Sequence, residues 1–270
     1  MKYAVLCGNG RFPLLALDSA RSLGHEVVAI GIKEEASSEI DSLGVKTYWI
    51  SLGALSRLIS ILKDENVREV MFCGQVKHAK IFSSIAPDWR LAKLLFSLRE
   101  KNTDALIGGV VQVLADEGIQ LVDSTRLLKP LVAGEGHLTR RKPDADEIRD
   151  IEYGRRVANV LASVDIGQSV AISGRACVAA EAMEGTDAML RRAACLAEGK
   201  PLRLVKVSRR RGHLLFDVPV VGLTTIDVMR ETGTTALAVD AGRTLMLDRE
   251  ELIQRANDAG ISIAGYIAVE

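Results

Sequence analysis

Short apolar runs alternate with stretches of helical spacing through this chain, and that alternation limits the folds open to it. Tyr3–Cys7, Glu26–Ile30, Thr47–Ile50, Glu69–Cys73 and Ile119–Val122 read as strands. Between them Leu14–Leu23, Leu55–Asn66, Arg90–Arg99 and Thr103–Glu117 carry apolar residues at helical spacing. Apolar strands separated by amphipathic helices build a mainly parallel sheet covered on both faces. Residues 1–128 are therefore expected to form a Rossmann-like domain. The pattern breaks around Pro130, Gly134, Gly136, Arg140-Arg141-Lys142 and Pro143, so 129–146 reads as a linker.

A second α/β domain is expected over 147–270, its first helix, Ala145–Ser163, starting inside the linker. Strand-like Ser169–Ile172 and Arg175–Ala180 follow, then helix-like Met189–Glu198 and strand-like Leu202–Val207. Thr224–Thr232 has helical character and Thr235–Val239 and Thr244–Leu247 read as strands. Helix Arg249–Ala259 and strand Ile261–Ile267 close the series.

Composition removes several classes of function. Lys+Arg and Asp+Glu both number 35 and aromatics make up 4%, so there is neither a global field nor a stacking surface for nucleic acid. Cys7, Cys73, Cys177 and Cys195 lie far apart, without zinc spacing. Cys7, Cys73 and Cys177 sit in apolar strand-like runs and are expected to be buried thiols. The apolar run at the N-terminus is too short for a signal peptide, and no segment has the ~18 apolar residues of a membrane span. A soluble cytoplasmic protein is expected.

The densest grouping of reactive side chains is Glu181-Ala182-Met183-Glu184-Gly185-Thr186-Asp187-Ala188-Met189-Leu190. Gly185 supplies a turn, Thr186 or Asp187 can cap the next helix, and Arg191 and Arg192 follow. Carboxylates, a hydroxyl and a helix N-terminus suit a divalent cation or a phosphorylated ligand, because hard cations take oxygen and helix N-termini attract anions. The plainer reading is a capped helix with solvated acids. Gly8-Asn9-Gly10 before Pro13 lets backbone approach an anionic group, but the third glycine of a dinucleotide fingerprint is missing. Gly74-Gln75-Val76-Lys77 should lie at the same sheet edge, with Lys77 set to neutralise a phosphate. Ile81, Phe82, Ile85, Trp89 and Leu95 form an apolar patch, either core or a wall for acyl chains. Asp217 stands at the end of an apolar run, before Pro219 and Gly222.

Gly8-Asn9-Gly10 with Pro13, Gly74-Gln75-Val76-Lys77, Asp104-Ala105-Leu106, Asp165-Ile166-Gly167-Gln168, Glu181 through Leu190, and Phe216-Asp217-Val218-Pro219-Val220-Val221-Gly222 occur in that order along nearly the whole chain. Together they resemble the UDP-2,3-diacylglucosamine pyrophosphatases of the LpxI type, which act in lipid A synthesis. The resemblance implies two domains with substrate between them, and a metal-dependent hydrolase releasing UMP and 2,3-diacylglucosamine 1-phosphate (lipid X). It implies water attacking the α-phosphorus, a critical aspartate matching Asp217, and a homodimer. One departure stands out: Gly212, His213, Leu214 and Leu215 stand where Gln, an acid, one further residue and Arg are expected, and Arg209–Arg211 offer charge just upstream.

Under this reading the cofactor is Mg2+ or Mn2+, because a hard cation neutralises the pyrophosphate and acidifies water. Asp217, Glu184 and Asp187 are the expected metal ligands; Asp217, Asp187 and Glu181 are the expected catalytic group. Gly8, Asn9, Gly10, Gly74, Gln75, Lys77, Gln168, Thr186 and Arg191 are the expected substrate contacts. The partner is a lipid-linked nucleotide sugar, with peripheral contact at the cytoplasmic face of the inner membrane. Two rivals remain in view: a non-catalytic nucleotide-sugar or lipid-sugar binding protein, and a Rossmann oxidoreductase.

Overall fold

The computed structural model describes residues 2–76, 86–98, 103–209 and 218–269. Lys77, Ile81, Phe82, Ile85, the Gly212–Leu215 segment and Asp217 lie outside the described residues. The chain forms two compact units that divide between Leu128 and Lys129.

In the first unit, β1 (Lys2–Cys7), α1 (Phe12–Ser22), β2 (Glu26–Ile32), β3 (Lys46–Ile50), α2 (Leu55–Asp64) and β4 (Glu69–Cys73) follow in order. After them come α3 (Trp89–Ser97), α4 (Thr103–Asp116) and the short β5 (Gln120–Leu121). The sheet runs β3-β2-β1-β4-β5 with every pairing parallel, so the Rossmann-like expectation holds. β1 and β2 are apolar through most of their length because helices cover both faces. Pro13 is the second residue of α1, in the first turn, where its missing N–H costs nothing. Asp88 caps α3 by accepting from the Arg90 and Leu91 amides, and Leu91 and Leu94 turn into the core. Of the expected apolar wall, Leu95 packs against that core, whereas Trp89 is 66% exposed. Phe96 on the same helix is 92% exposed.

The second unit contains β6 (Gly136–His137), α5 (Ala145–Ser163), β7 (Ser169–Ser173), β8 (Ala176–Ala180), α6 (Thr186–Ala197) and β9 (Leu202–Lys206). It continues with β10 (Val220–Val221), α7 (Leu223–Glu231), β11 (Thr234–Asp240), β12 (Leu245–Met246), α8 (Arg249–Asp258) and β13 (Ser262–Tyr266). Its main sheet has the order β6-β13-β11-β9-β7-β8, and β10 and β12 form a separate parallel pair. β9, β11 and β13 are parallel, while β6, β7 and β8 run antiparallel to their neighbours. Residues 129–146 join this unit: the Ala133 amide donates to the Thr244 carbonyl and the Leu138 amide to that of Ile263.

Strand alternation divides the apolar side chains at the centre of this sheet between two cores. Val170, Ile172, Val205, Val207, Ala236 and Ala238 pack with Ile151 and Ala158 of α5. Their sequence neighbours Ala171, Leu204, Leu237 and Val239 face the opposite way, into a core with α6, α7 and α8. α5 starts in a capping box, with Asp144 accepting from the Glu147 amide and Glu147 from the Asp144 amide. Arg141 grips the Glu147 carboxylate at 2.7 and 2.9 Å. Burial works against that carboxylate's charge, but Arg141 and the Thr235 hydroxyl more than offset it and hold its pKa below the usual range. Cys7 and Cys73 are buried as expected; Cys177 is exposed, since β8 is an edge strand.

Candidate functional site

At the carboxyl edge of the first sheet the two glycine turns meet, as expected from their places after β1 and β4. The Asn9 amide donates to the Gln75 carbonyl at 2.7 Å and the Gln75 amide to that of Asn9 at 3.1 Å. A Cβ on Gly8 would stand 2.6 Å from the Gln75 carbonyl oxygen, and one on Gly74, whose φ is +88°, 2.5 Å from that of Asn9. Both glycines are thus required by the backbone contact between the loops. Gly10 differs: it also has positive φ, but nothing lies within 4 Å of its Cβ position. It leads to the start of α1, whose N-cap Arg11 makes no side-chain capping bond. This is the open part of the expected glycine site.

In the second unit, β9 and β11 end at the same edge where β7 begins and β8 ends. Ser169 and Lys206 are register partners across β7 and β9. Alternation puts both on the α6 face, two residues from Ala171 and Leu204. There they meet Thr186, the first residue of α6. The Lys206 ammonium donates to Thr186 Oγ1 at 2.9 Å and to Ser169 Oγ at 3.4 Å. Thr186 Oγ1 donates to Glu181 Oε1 at 2.9 Å and lies 3.2 Å from Ser169 Oγ. An ionised carboxylate only accepts and an ammonium only donates, so the proton of Thr186 belongs to Glu181 and Ser169 is the donor to Thr186.

Glu181 is 8% exposed and Lys206 7%. Glu181 Oε2 and Gln168 Oε1, the latter one residue before β7, are buried without hydrogen-bond partners among the described residues. Gly167 makes the close approach possible, since a Cβ there would fall 2.0 Å from the Glu181 carbonyl oxygen. The α6 N-cap is Gly185 at φ 85°, with no side-chain capping bond. Neither Thr186 nor Asp187 caps this helix, contrary to expectation, because the helix starts at Thr186 and both residues lie inside its first turn.

Asp187 accepts from the Thr225 hydroxyl at 3.0 Å, tying α6 to α7. Glu184 accepts from the Ala182 amide at 3.0 Å and pairs with Arg192 at 2.5 Å. Its own backbone N–H and the Arg192 guanidinium hold its carboxyl below the usual range. Arg191 makes an exposed pair with Glu231 at 3.4 Å. Among the described residues no group of three His, Cys, Asp or Glu side chains is disposed to hold a metal ion. No helix among them is long and apolar enough to cross a membrane.

Lys206 and Ser169 were not singled out in the sequence. Lys206 ends the apolar run Leu202–Lys206 in inward-facing parity with Leu202 and Leu204, a place where a cation is out of keeping. Asp240 carries the same signal at the end of β11. On the α5 face its carboxylate binds Arg155 at 2.9 Å and the Ser208 amide and hydroxyl at 2.8 and 3.0 Å. Arg209, at the start of the expected basic run, pairs with Asp165 at 2.5 Å.

Comparison with known proteins bears on both units. The family model described as the LpxI N-terminal domain matches residues 2–131, and that of the LpxI C-terminal domain matches 134–264. A protein of Caulobacter vibrioides described as UDP-2,3-diacylglucosamine pyrophosphatase LpxI is 28% identical over 274 residues, 98% of this chain and 97% of that protein. Among solved structures, a UDP-glucose-4-epimerase from Stenotrophomonas maltophila is 15% identical with a TM-score of 0.29, over 44% of this chain and 35% of that one. A nucleoside-diphosphate-sugar epimerase from Pseudomonas aeruginosa is 12% identical with a TM-score of 0.30, over 64% of this chain and 63% of that one. Likeness at those scores carries no argument. The two domain models, consecutive and nearly end to end, do: this chain belongs to the LpxI family.

Proposed function

We propose that this protein hydrolyses the pyrophosphate of UDP-2,3-diacylglucosamine, water attacking the α-phosphorus to give UMP and 2,3-diacylglucosamine 1-phosphate. The observation that supports this most is the match to both LpxI domains over nearly the whole chain, together with the Caulobacter vibrioides relative described by that activity. The carboxyl edge of the second unit is where an open α/β sheet binds its ligand. Asp217, which follows β9 in the chain, is the residue we assign to aligning the attacking water.

The donor set suits a divalent cation such as magnesium in part. Glu181 Oε2 and Gln168 Oε1 are hard oxygens, buried and without partners among the described residues. Glu181 and Asp217 would hold the cation; Glu184 and Asp187 are engaged by Arg192 and Thr225 and are weaker candidates. When bound, it supplies charge neutralisation to the pyrophosphate. Thr186 fixes the Glu181 carboxylate through one oxygen, so the other keeps its direction.

The test is UMP release from UDP-2,3-diacylglucosamine with and without magnesium or manganese, wild type beside Asp217→Ala. Metal-dependent UMP and lipid X from the wild type, with at least about 10²-fold loss in the variant, is the expected result. Turnover by Asp217→Ala near the wild-type rate would remove that residue from the chemistry. No turnover with either metal would favour a binding protein.

A further inference from the structure

We propose that Lys206 binds a phosphoryl oxygen of a pyrophosphate-bearing substrate, with Ser169 and Thr186 holding its ammonium in position, an assignment that rests on the pyrophosphatase reading above. Lys206 is buried, yet it forms no ion pair with a described carboxylate; its partners are two hydroxyls. A desolvated cation held only by neutral groups is costly, and the cost falls when an anion arrives. An ammonium has three protons, and the hydroxyls take two of them. The third is left for a ligand.

Two further features point the same way. The cluster sits at the start of α6, a helix of 12 residues whose N-cap makes no side-chain bond, so the positive end of its dipole is directed at the same place. On the acidic side of the cluster, Glu181 Oε2 is buried and meets no hydrogen-bond donor among the described residues. A pyrophosphate that arrives with its counter-cation serves both groups: a phosphoryl oxygen for Lys206 and a positive charge for Glu181. The hydroxyl chain from Ser169 through Thr186 to Glu181 keeps the lysine and the carboxylate apart while orienting each.

The experiment uses the full chain and calorimetric titration with UDP, and with uridine as the control lacking phosphate, with and without magnesium. Wild type is expected to bind UDP well above uridine. Lys206→Met should weaken UDP at least about tenfold, the scale of one charge-assisted bond, leave uridine unchanged, and keep Tm near wild type. Lys206→Arg should recover part of the loss. If Lys206→Met fails to fold, Ser169→Ala, which removes only an orienting hydroxyl, should weaken UDP about threefold. UDP binding no tighter than uridine in the wild type would overturn the assignment. So would UDP affinity unchanged in a folded Lys206→Met, or unchanged in Ser169→Ala if the lysine variant does not fold. Lys206-dependent UDP binding without UMP release from UDP-2,3-diacylglucosamine would defeat the proposed reaction and leave the phosphoryl site standing.

Discussion

Asp240 is 1% exposed, and both its oxygens are committed: one to Arg155, the other to the amide and hydroxyl of Ser208. Arg155 in turn donates to the Ile267 carbonyl at 2.6 Å and lies over the Tyr266 ring at 5.0 Å. Ser208 is the second residue after β9, so this network fixes the direction in which the chain leaves the sheet at that point. Removing one member of a buried pair strands the other charge, which costs more than the pair itself contributes. Asp240→Ala should therefore destabilise the protein by about 3 kcal/mol, read from urea unfolding at neutral pH. The Arg155→Met, Asp240→Leu double variant should lose less than Asp240→Ala alone. A loss under about 1 kcal/mol for the single change would mean that water or another group already compensates Arg155. These polar residues were poorly legible in the sequence for a physical reason. A charge ending an apolar strand looks like ordinary solvation until its parity and the helix above it are known. Glu181 and Thr186 were legible because they are neighbours in sequence; their partners Ser169 and Lys206 come from other strands.

Among the elements, those long enough to show a period were read within a few residues of their observed bounds, α5 over Ala145–Ser163 included. β6 and β10, two residues each, show no period, and long-range pairing alone creates them. α6 begins at Thr186, ahead of its expected start at Met189, because its first turn is polar and its apolar face begins later. Packing at α5 turns on Gly154. A Cβ there would stand 2.7 Å from Val205 Cγ2 and 2.8 Å from Ile172 Cγ1, both side chains buried in the sheet. Gly154→Ala gains about 1 kcal/mol of helix propensity, but forcing the helix off the sheet costs about 1–3 kcal/mol. β-branched neighbours in a closed core yield little, so the clash outweighs the gain and a net loss of about 1 kcal/mol is expected. Gly108 in α4 provides the contrast, since nothing lies within 4 Å of its Cβ position. There the propensity gain acts alone, and Gly108→Ala should stabilise by about 0.5–1 kcal/mol. Chemical denaturation of the two variants should move the midpoint in opposite directions; the same sign for both would show that helix propensity or packing alone decides.

For the whole molecule, each unit carries its own core, and both tryptophans, Trp49 and Trp89, belong to the first. Tryptophan fluorescence therefore follows the unfolding of that unit alone. Two carboxylates tie its elements together. Glu65, just past α2, accepts from Lys46 and Tyr48 of β3, each at 2.5 Å, and from Lys2 of β1 at 3.1 Å. Glu117, just past α4, binds Arg90 of α3 and Lys63 of α2. The Lys46 ammonium, then Tyr48 and Lys2, draw the Glu65 carboxyl down from 4.5 to about 2, and Arg90 with Lys63 does the same to Glu117. A folded pKa below the unfolded one adds stability that is complete above about pH 4.5 and is lost as pH falls toward 2. The urea midpoint of the fluorescence transition should accordingly fall across that window. Glu65→Gln should start lower at pH 7 and decline less steeply on acidification, so that wild type and variant converge near pH 2. Salt should narrow the gap at pH 7, because Lys46 is largely exposed and its field is screened. Parallel wild-type and variant curves between pH 4.5 and 2 would mean that the Glu65 contacts add nothing to the folded state, and that the apolar face of α2, Leu55, Leu58, Ile59, Ile61 and Leu62, holds it without them.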